Sequence, residues 1–307
     1  YSRVHQSDFE GGAVTGLFDA PLIGGADVRR AINFNDLPLI NTRLSGVNLT
    51  ANYDMLDGGK LTSITGYRST LGHQRSDNDL SPVDLVHTHF RDEYRQVSQE
   101  IRFASSAKEP LRYVMGLFYL HETADTDRTA FFGRDVSTPI RLPGFPAAIP
   151  FDSAFGVAAG SRDPISGSVK TNSYAAFGSA DYDFTDRLTL NLGVRYTNET
   201  KHLDYSIDGS HSGALGFATL SHYKDQRRDH DISPMVGLSY ALANDLNLYG
   251  KYSSGFKSGG WNVDFLTGPQ ITNDLSFDKE TADSFEVGLK GSAFDHRVQY
   301  DLSVFLA

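Results

Sequence analysis

From Val169 to Phe256, apolar and polar residues alternate with period two through four consecutive segments joined by very short connections. Along Leu188 to Lys201, Leu188, Leu190, Leu192, Val194 and Tyr196 share one parity. Thr189, Asn191, Arg195, Thr197, Glu199 and Lys201 share the other. Successive side chains of a strand point to opposite faces, so this segment predicts a strand with one apolar and one charged face. Thr171 to Phe184 places Tyr174, Ala176, Ala180, Tyr182 and Phe184 together, and Thr185-Asp186-Arg187 leaves room only for an antiparallel hairpin. The next pair repeats the plan: Val236, Leu238, Tyr240 and Leu242 alternate with small residues, the chain turns at Ala243-Asn244-Asp245, and Leu246, Leu248 and Tyr252 return.

The same pattern recurs on both sides. Tyr1-Ser2-Arg3 reads as the tail of a strand, followed by an aperiodic, Gly-rich stretch to about Asn41 that reads as a loop. Arg43 to Asp54 is a strand with Val47, Leu49, Ala51 and Tyr53 on one face; it turns at Asp57-Gly58-Gly59 into Lys60 to Thr70. Tyr94 to Ala104 and Leu111 to Glu122 form another hairpin around Ser105 to Pro110. Thr281 to Lys290, a turn over Gly291 to His296 and a strand from Val298 make the last. The remaining connections read as long loops: about 73–92, 124–168, 203–229 and 257–279. The run Pro139 to Phe155 is rich enough in Phe and Ile to fold onto something. Short and long connections alternate strictly, as in an all-β, antiparallel up-and-down transmembrane barrel with short periplasmic turns and long extracellular loops.

Composition agrees with strands and does not oppose a membrane. Of 307 residues 39% are hydrophobic, and no stretch approaches the ~20 apolar residues of a membrane-crossing helix. A barrel strand shows lipid only every second residue, so its mean hydropathy stays low, as the value of -0.34 does here. The 15 Tyr and 20 Phe suit interfacial girdles. A net charge of -10 argues against nucleic acid as a partner. With no cysteine, disulfides and thiolate chemistry are excluded. No signal peptide opens the chain, so an exported barrel would begin upstream of it.

Two stretches carry a family likeness. Tyr252-Ser253-Ser254-Gly255-Phe256-Lys257-Ser258-Gly259-Gly260-Trp261-Asn262 and Phe277-Asp278-Lys279-Glu280-Thr281-Ala282-Asp283-Ser284-Phe285-Glu286-Val287-Gly288-Leu289-Lys290 resemble the barrel of TonB-dependent outer-membrane receptors. Leu61 to Arg68 and Gln96 to Ser105 are similar to its strands, and the likeness covers nearly the whole chain except the long loops. The resemblance implies a 22-stranded barrel in the outer membrane of a Gram-negative bacterium, closed by an N-terminal plug that engages the TonB–ExbB–ExbD complex. It implies a scarce ligand: a ferric siderophore, cobalamin or an oligosaccharide. About 10–11 strands are counted, with neither plug, TonB box nor closing strands. Residues 1–307 then read as an internal part of the barrel domain, since open edges in hydrocarbon would leave backbone groups unsatisfied at several kcal/mol each.

Candidate chemistry is sparse. Lys224, Arg227 and Arg228, read in a loop, could meet an anionic ligand or lipopolysaccharide phosphates, or be merely solvated. Arg195, Glu199, Lys201, Lys251, Glu286 and Lys290 form a lumen-facing set of mixed sign, which can pair across strands, meet a plug or touch ligand. Lys257 and Trp261 open a long loop; Trp261 could stack on a ligand ring or anchor at the interface. Tyr252, Gly255, Phe256, Gly259, Gly260 and Gly288 are the other motif positions. His73, His87 and His89 lack a defined third ligand, so neither a metal nor any other cofactor is expected. No hydrolase, zinc-protease or phosphate-loop signature is present, so no enzyme is expected. A passive porin, or a soluble β-rich adhesin or glycan-binding protein, remain alternatives; the last would have to cover its apolar faces with a second sheet.

Overall fold

The computed structural model describes residues 35–56, 58–79, 83–140, 147–272 and 275–307. The expected strand tail at Tyr1-Ser2-Arg3 and most of the first loop lie outside them. Ten long strands form one sheet: β1 (Leu39–Asp54), β2 (Lys60–Asp77), β3 (Val86–Ala104), β4 (Leu111–Phe132), β5 (Arg162–Thr185), β6 (Leu188–Asp208), β7 (Thr219–Ala243), β8 (Leu246–Lys257), β9 (Glu280–Ala293) and β10 (Val298–Leu306). Their spatial order is their chain order, and every neighbouring pair is antiparallel. This is the up-and-down plan that the alternation predicts.

Side-chain parity is kept from strand to strand by the register. Leu192 of β6 lies beside Ala180 of β5 and Val236 of β7, and Val194 beside Gly178 and Pro234. The face so formed carries Leu117 (65% exposed), Val194 (52%), Ile232 (62%) and Val287 (60%). No second sheet covers it among the described residues. An apolar belt of this extent is unstable against water and is what a lipid-facing wall requires. On β6 it ends at Tyr196, beyond which Asn198, Thr200, His202 and Asp204 continue the same face. Five apolar positions from Leu188 to Tyr196 cover about 26 Å along the strand, a suitable span for a tilted strand in hydrocarbon.

The opposite face is polar and punctuated by glycines that receive rings. A Cβ on Gly288 would lie 2.5 Å from the ring of Tyr249, and one on Gly116 would lie 2.5 Å from Phe177. Those contacts let an aromatic ring lie flat across its neighbour strand.

The short turns fall where the sequence places them. At the first, Gly58 adopts φ 84° and its amide donates to the Met55 carbonyl at 3.0 Å. At the third, Thr185 Oγ1 accepts the amides of Arg187 and Leu188 at 3.2 and 3.1 Å.

The other end corrects the reading. The connection expected over 73–92 shrinks because β2 runs to Asp77 and β3 starts at Val86. That expected over 124–168 shrinks as β4 reaches Phe132 and β5 begins at Arg162, and that over 203–229 as β6 reaches Asp208 and β7 begins at Thr219. His73, His87 and His89, and likewise Lys224, Arg227 and Arg228, therefore sit on strands rather than loops. The physical reason is that backbone pairing continues past the membrane, where one face no longer meets lipid and the apolar alternation lapses.

Two small cores sit at this end. Leu85, Phe132, Val136, Ile140, Phe151 and Val157 pack together, with a short helix at Phe151–Phe155, so the described part of the apolar run does fold against the end of β4, while 141–146 lie outside the described residues. Ile165, Leu203, Tyr205, Ile207, Trp261, Leu266 and Leu275 form the second, between β5, β6 and the 258–279 connection.

Candidate ligand vestibule

Above the apolar belt, four charged side chains of β6 and β7 face the polar side in two adjacent register rows. Lys201 lies opposite Arg227, and Glu199 opposite Asp229. Like charges face each other across the strands, so pairing runs along each strand instead: Lys201 to Glu199 at 3.1 Å, and Arg227 to Asp229 through two bonds of 2.9 and 3.0 Å. Each pair retains hydrogen-bonding capacity, and the 258–279 connection uses it. Lys201 Nζ donates to Ser258 Oγ at 2.7 Å and to the Gly259 carbonyl at 2.8 Å. The Ser258 hydroxyl donates to Glu199, the Gly259 amide to Asp229 at 3.2 Å, and Arg227 Nη1 to the Phe277 carbonyl at 2.7 Å.

This clamp gives the glycine motif a reason. A Cβ on Gly259 would lie 2.3 Å from both Arg227 Cζ and the Phe277 carbonyl; on Gly260 it would lie 2.8 Å from the Phe277 ring. Gly260–Trp261 then pairs with Ser276–Phe277 as a two-residue ladder. Trp261 is 7% exposed, and its indole N–H donates to Asp225 at 2.8 Å. Its ring fills the second core instead of standing free.

Further in, the Tyr205 hydroxyl donates to the Asp264 carbonyl at 2.6 Å, and Arg128 meets the Asp264 carboxylate at 2.9 Å. The connection thus lies as a roof against the polar side of β4 to β7. The 133–161 connection is tied separately: Ser137 donates to Asp152 at 2.5 Å, and that bond, with those from Ser153, holds the Asp152 carboxyl below its ordinary value.

The candidate residues do not gather into one site. Arg195 faces the polar side over the rings of Phe118 and Phe177, at 5.4 and 5.7 Å, with no carboxylate partner among the described residues. Lys257 is exposed at the roof end of β8, 3.9 Å from Glu280. Arg227 is a clamp residue, held by Asp229 and the Phe277 carbonyl. Lys224 and Arg228 point to the other side, Lys224 near Asp204 at 3.6 Å and Arg228 donating to Thr200 at 3.4 Å. Glu286 accepts the Tyr249 hydroxyl at 2.6 Å and pairs with Lys251 at 3.5 Å. Tyr252 stacks near Phe285 on the belt side and donates to Asp283 at 2.9 Å; Phe256 lies 6.0 Å from Lys279 Nζ. Gly255 has open space around its Cα, and no contact explains it.

Reasoning from the sequence missed Asp225, Asp229, Tyr205 and Asp264, which have no motif spacing and are recognised only by what folds onto them. It also missed a third neighbour for the histidines. Asp36 comes to His87 and His89, with one ligand atom from each within 4.8 Å of the others, although Asp36 is paired with Arg75. His73 is elsewhere on the sheet, opposite Arg91.

Comparison with known proteins places this architecture. The family described as TonB dependent receptor-like, beta-barrel, matches residues 2–306. The ferric yersiniabactin uptake receptor FyuA of Yersinia pestis superposes with a TM-score of 0.64 at 16% identity, over 87% of this chain and 36% of that one. The siderophore receptor PiuA of Acinetobacter baumannii gives 0.61 at 12% identity, over 89% and 41%. The alcaligin outer-membrane receptor FauA of Bordetella pertussis gives 0.53 at 13% identity, over 87% and 37%. The chain therefore spans well under half the length of these receptors, and at such identities they attest the fold alone. With a family match running almost end to end over a strictly sequential antiparallel sheet, the chain belongs to the TonB-dependent receptor-like β-barrel family.

Proposed function

We propose that this chain forms part of the wall and the extracellular vestibule of an outer-membrane receptor in a Gram-negative bacterium, one that imports a scarce ligand by TonB-coupled transport. A ferric siderophore is the ligand class to try first, because the matched structures include receptors for ferric yersiniabactin and for alcaligin. In this reading residues 1–307 are a portion of a 22-stranded barrel, and the remaining strands and a plug reaching TonB–ExbB–ExbD belong to the rest of the receptor.

The observation that carries the reading is the roof. The 258–279 connection is clamped by Lys201, Glu199, Arg227 and Asp229 against the polar side of the wall, a fixed surface of the kind that selective ligand recognition needs. A structured connection on the polar side suits binding followed by gated passage. Lys257, exposed on β8 at the residue before this connection, is assigned to an anionic chelate. Arg195, deeper and without a carboxylate partner, is assigned to the plug. The chemistry is recognition and gating; no bond is made or broken.

The test is uptake of radiolabelled iron, supplied as a panel of ferric siderophores, by cells carrying the intact receptor. Uptake that disappears when TonB is inactivated supports the proposal. Equal uptake with and without TonB, or a steady ion conductance of the purified protein in planar bilayers, would establish a passive channel instead.

A further inference from the structure

At the roof end of β2 and β3, on the side of the wall that faces away from the vestibule, two imidazoles and a carboxylate converge. His87 and His89 stand two residues apart on β3, so both project to the face that carries Val97 and Ile101 in the belt. Their ring centroids are 5.4 Å apart, and Phe131 of β4 packs against both. It lies flat on His87 at 5.0 Å and tilted to His89 at 4.7 Å. Asp36, which precedes β1, leans over β2 and supplies the third ligand that the sequence left undefined. One ligand atom from each of the three lies within 4.8 Å of the others.

The group has bonding capacity to spare. His87 Nδ1 is buried and has no hydrogen bond among the described residues; Asp84 Oδ1 lies 3.4 Å from it. Buried ring nitrogens are ordinarily bonded, so one without a bond calls for a reason. Asp36 gives Oδ1 to Arg75, and a carboxylate can hold a guanidinium with one oxygen and a cation with the other. Arg75 by itself would repel a cation. It is outnumbered here, because Asp77 is the cross-strand partner of His87 and Asp84 is also beside that ring, with Arg134 approaching Asp84 only at 3.9 Å. An aromatic stack with a surface ion pair would account for Phe131 and Arg75. It gives no reason for the unbonded nitrogen of His87.

We propose that Asp36, His87 and His89 form a binding site for a divalent transition-metal ion of the zinc class, with water as the fourth ligand. Two imidazoles and a carboxylate are a donor set for such an ion, whereas calcium and magnesium take oxygen ligands. Zinc ligands sit about 2.0–2.2 Å from the metal, hence about 3.3 Å from one another, so the three groups close by no more than about 1.5 Å. The two histidines are held by the paired backbone of β3 and by Phe131, which leaves Asp36 as the member that moves. The ion thereby staples the residues before β1 across β2 onto β3. It is a structural site, on the opposite side of the wall from the ligand vestibule.

The experiment titrates the intact receptor, stripped of metal by a chelator, with zinc chloride in a calorimeter, and repeats the titration in Asp36→Asn, His89→Ala and His73→Ala. Comparing variants isolates this site from any other in the receptor. One zinc per chain is expected to bind at least about tenfold more weakly in Asp36→Asn and in His89→Ala, since even the outer partners of a metal ligand are worth that much. His73→Ala, on β2 and outside the group, should bind as wild type does. Zinc should also slow amide exchange over residues 36–42 in wild type but not in Asp36→Asn, a readout that loss of an aromatic stack does not move. Asp36 lies outside the strands, so its variant keeps the test open should His89→Ala fail to fold. Equal zinc affinity in wild type and both ligand variants, each folded by circular dichroism, would overturn the proposal. So would displacement of the zinc by equimolar calcium. Iron uptake is not among the readouts, so this site stands or falls independently of the transport reading.

Discussion

The lower and upper halves of β6 are continuous in backbone and opposite in logic. Between Leu188 and Tyr196 the strand follows strict alternation, with each apolar side chain facing outward. Between Thr197 and Asp208 the ladder to β5 and β7 persists almost without interruption, yet the outward positions are Asn198, Thr200, His202 and Asp204. In the lower half, lipid dictates the outward residues and the inner face is free to be polar. In the upper half the burial reverses: Leu203, Tyr205 and Ile207 now point inward, under the roof. A strand can thus exchange its apolar face at the membrane boundary without a bulge, because the 258–279 connection supplies inside what lipid supplies outside.

The largest effect should come from placing a charge where the two halves differ most. Val194→Arg, outward in the belt, is expected to destabilise the intact protein by about 2–4 kcal/mol in equilibrium unfolding from lipid vesicles. Thr200→Arg, six residues higher on the same face, should cost less than about 0.5 kcal/mol. Equal costs would mean that the belt boundary is misplaced.

A smaller, local effect should follow from undoing the roof. Arg227→Ala leaves Asp229 short of its main partner and frees the Phe277 carbonyl, at a cost of about 1–3 kcal/mol. It should appear as faster amide exchange confined to 258–279 and the adjoining ends of β6 and β7, with the belt unchanged. Faster exchange throughout the sheet would show instead that the upper half supports the lower.

The smallest effect concerns acid, and separates the 133–161 connection from both halves. Because the Asp152 carboxyl is held below its ordinary 3.8, its contribution is fully present above that value and is lost as pH falls through the lower folded-state value. Proteolysis within 133–161 should therefore rise only below about pH 4. Ser137→Ala should move the onset upward. An onset at neutral pH in the parent protein would assign the connection's order to some other group.

The comparison also explains what was legible in advance. Belt residues such as Leu192 and Val236, and the turns at Gly58 and Asp186-Arg187, follow from alternation and turn chemistry, so strand order and pairing could be read directly. The upper strands could not, because Lys224 to His230 alternates between two polar faces and polar stretches without apolar period look like loops. The clamp was half-visible. Gly259, Gly260 and Trp261 stood out as a motif, whereas their partners Arg227, Asp229 and Asp225 are ordinary charges until the roof descends on them. The place of Trp261, open in the sequence between a ligand platform and an interface anchor, was hidden for the same reason, since only tertiary packing shows that its ring is covered.

The sequential order of the sheet has a further consequence, for how the wall is made. Among the described residues every long strand pairs only with its neighbours in the chain, so none of these pairings has to wait for a distant segment. The entropy of closing each loop is correspondingly small, rising only as the logarithm of loop length, even across the 133–161 connection. Such a wall can be assembled hairpin by hairpin, each completed strand offering its free edge as the template for the next.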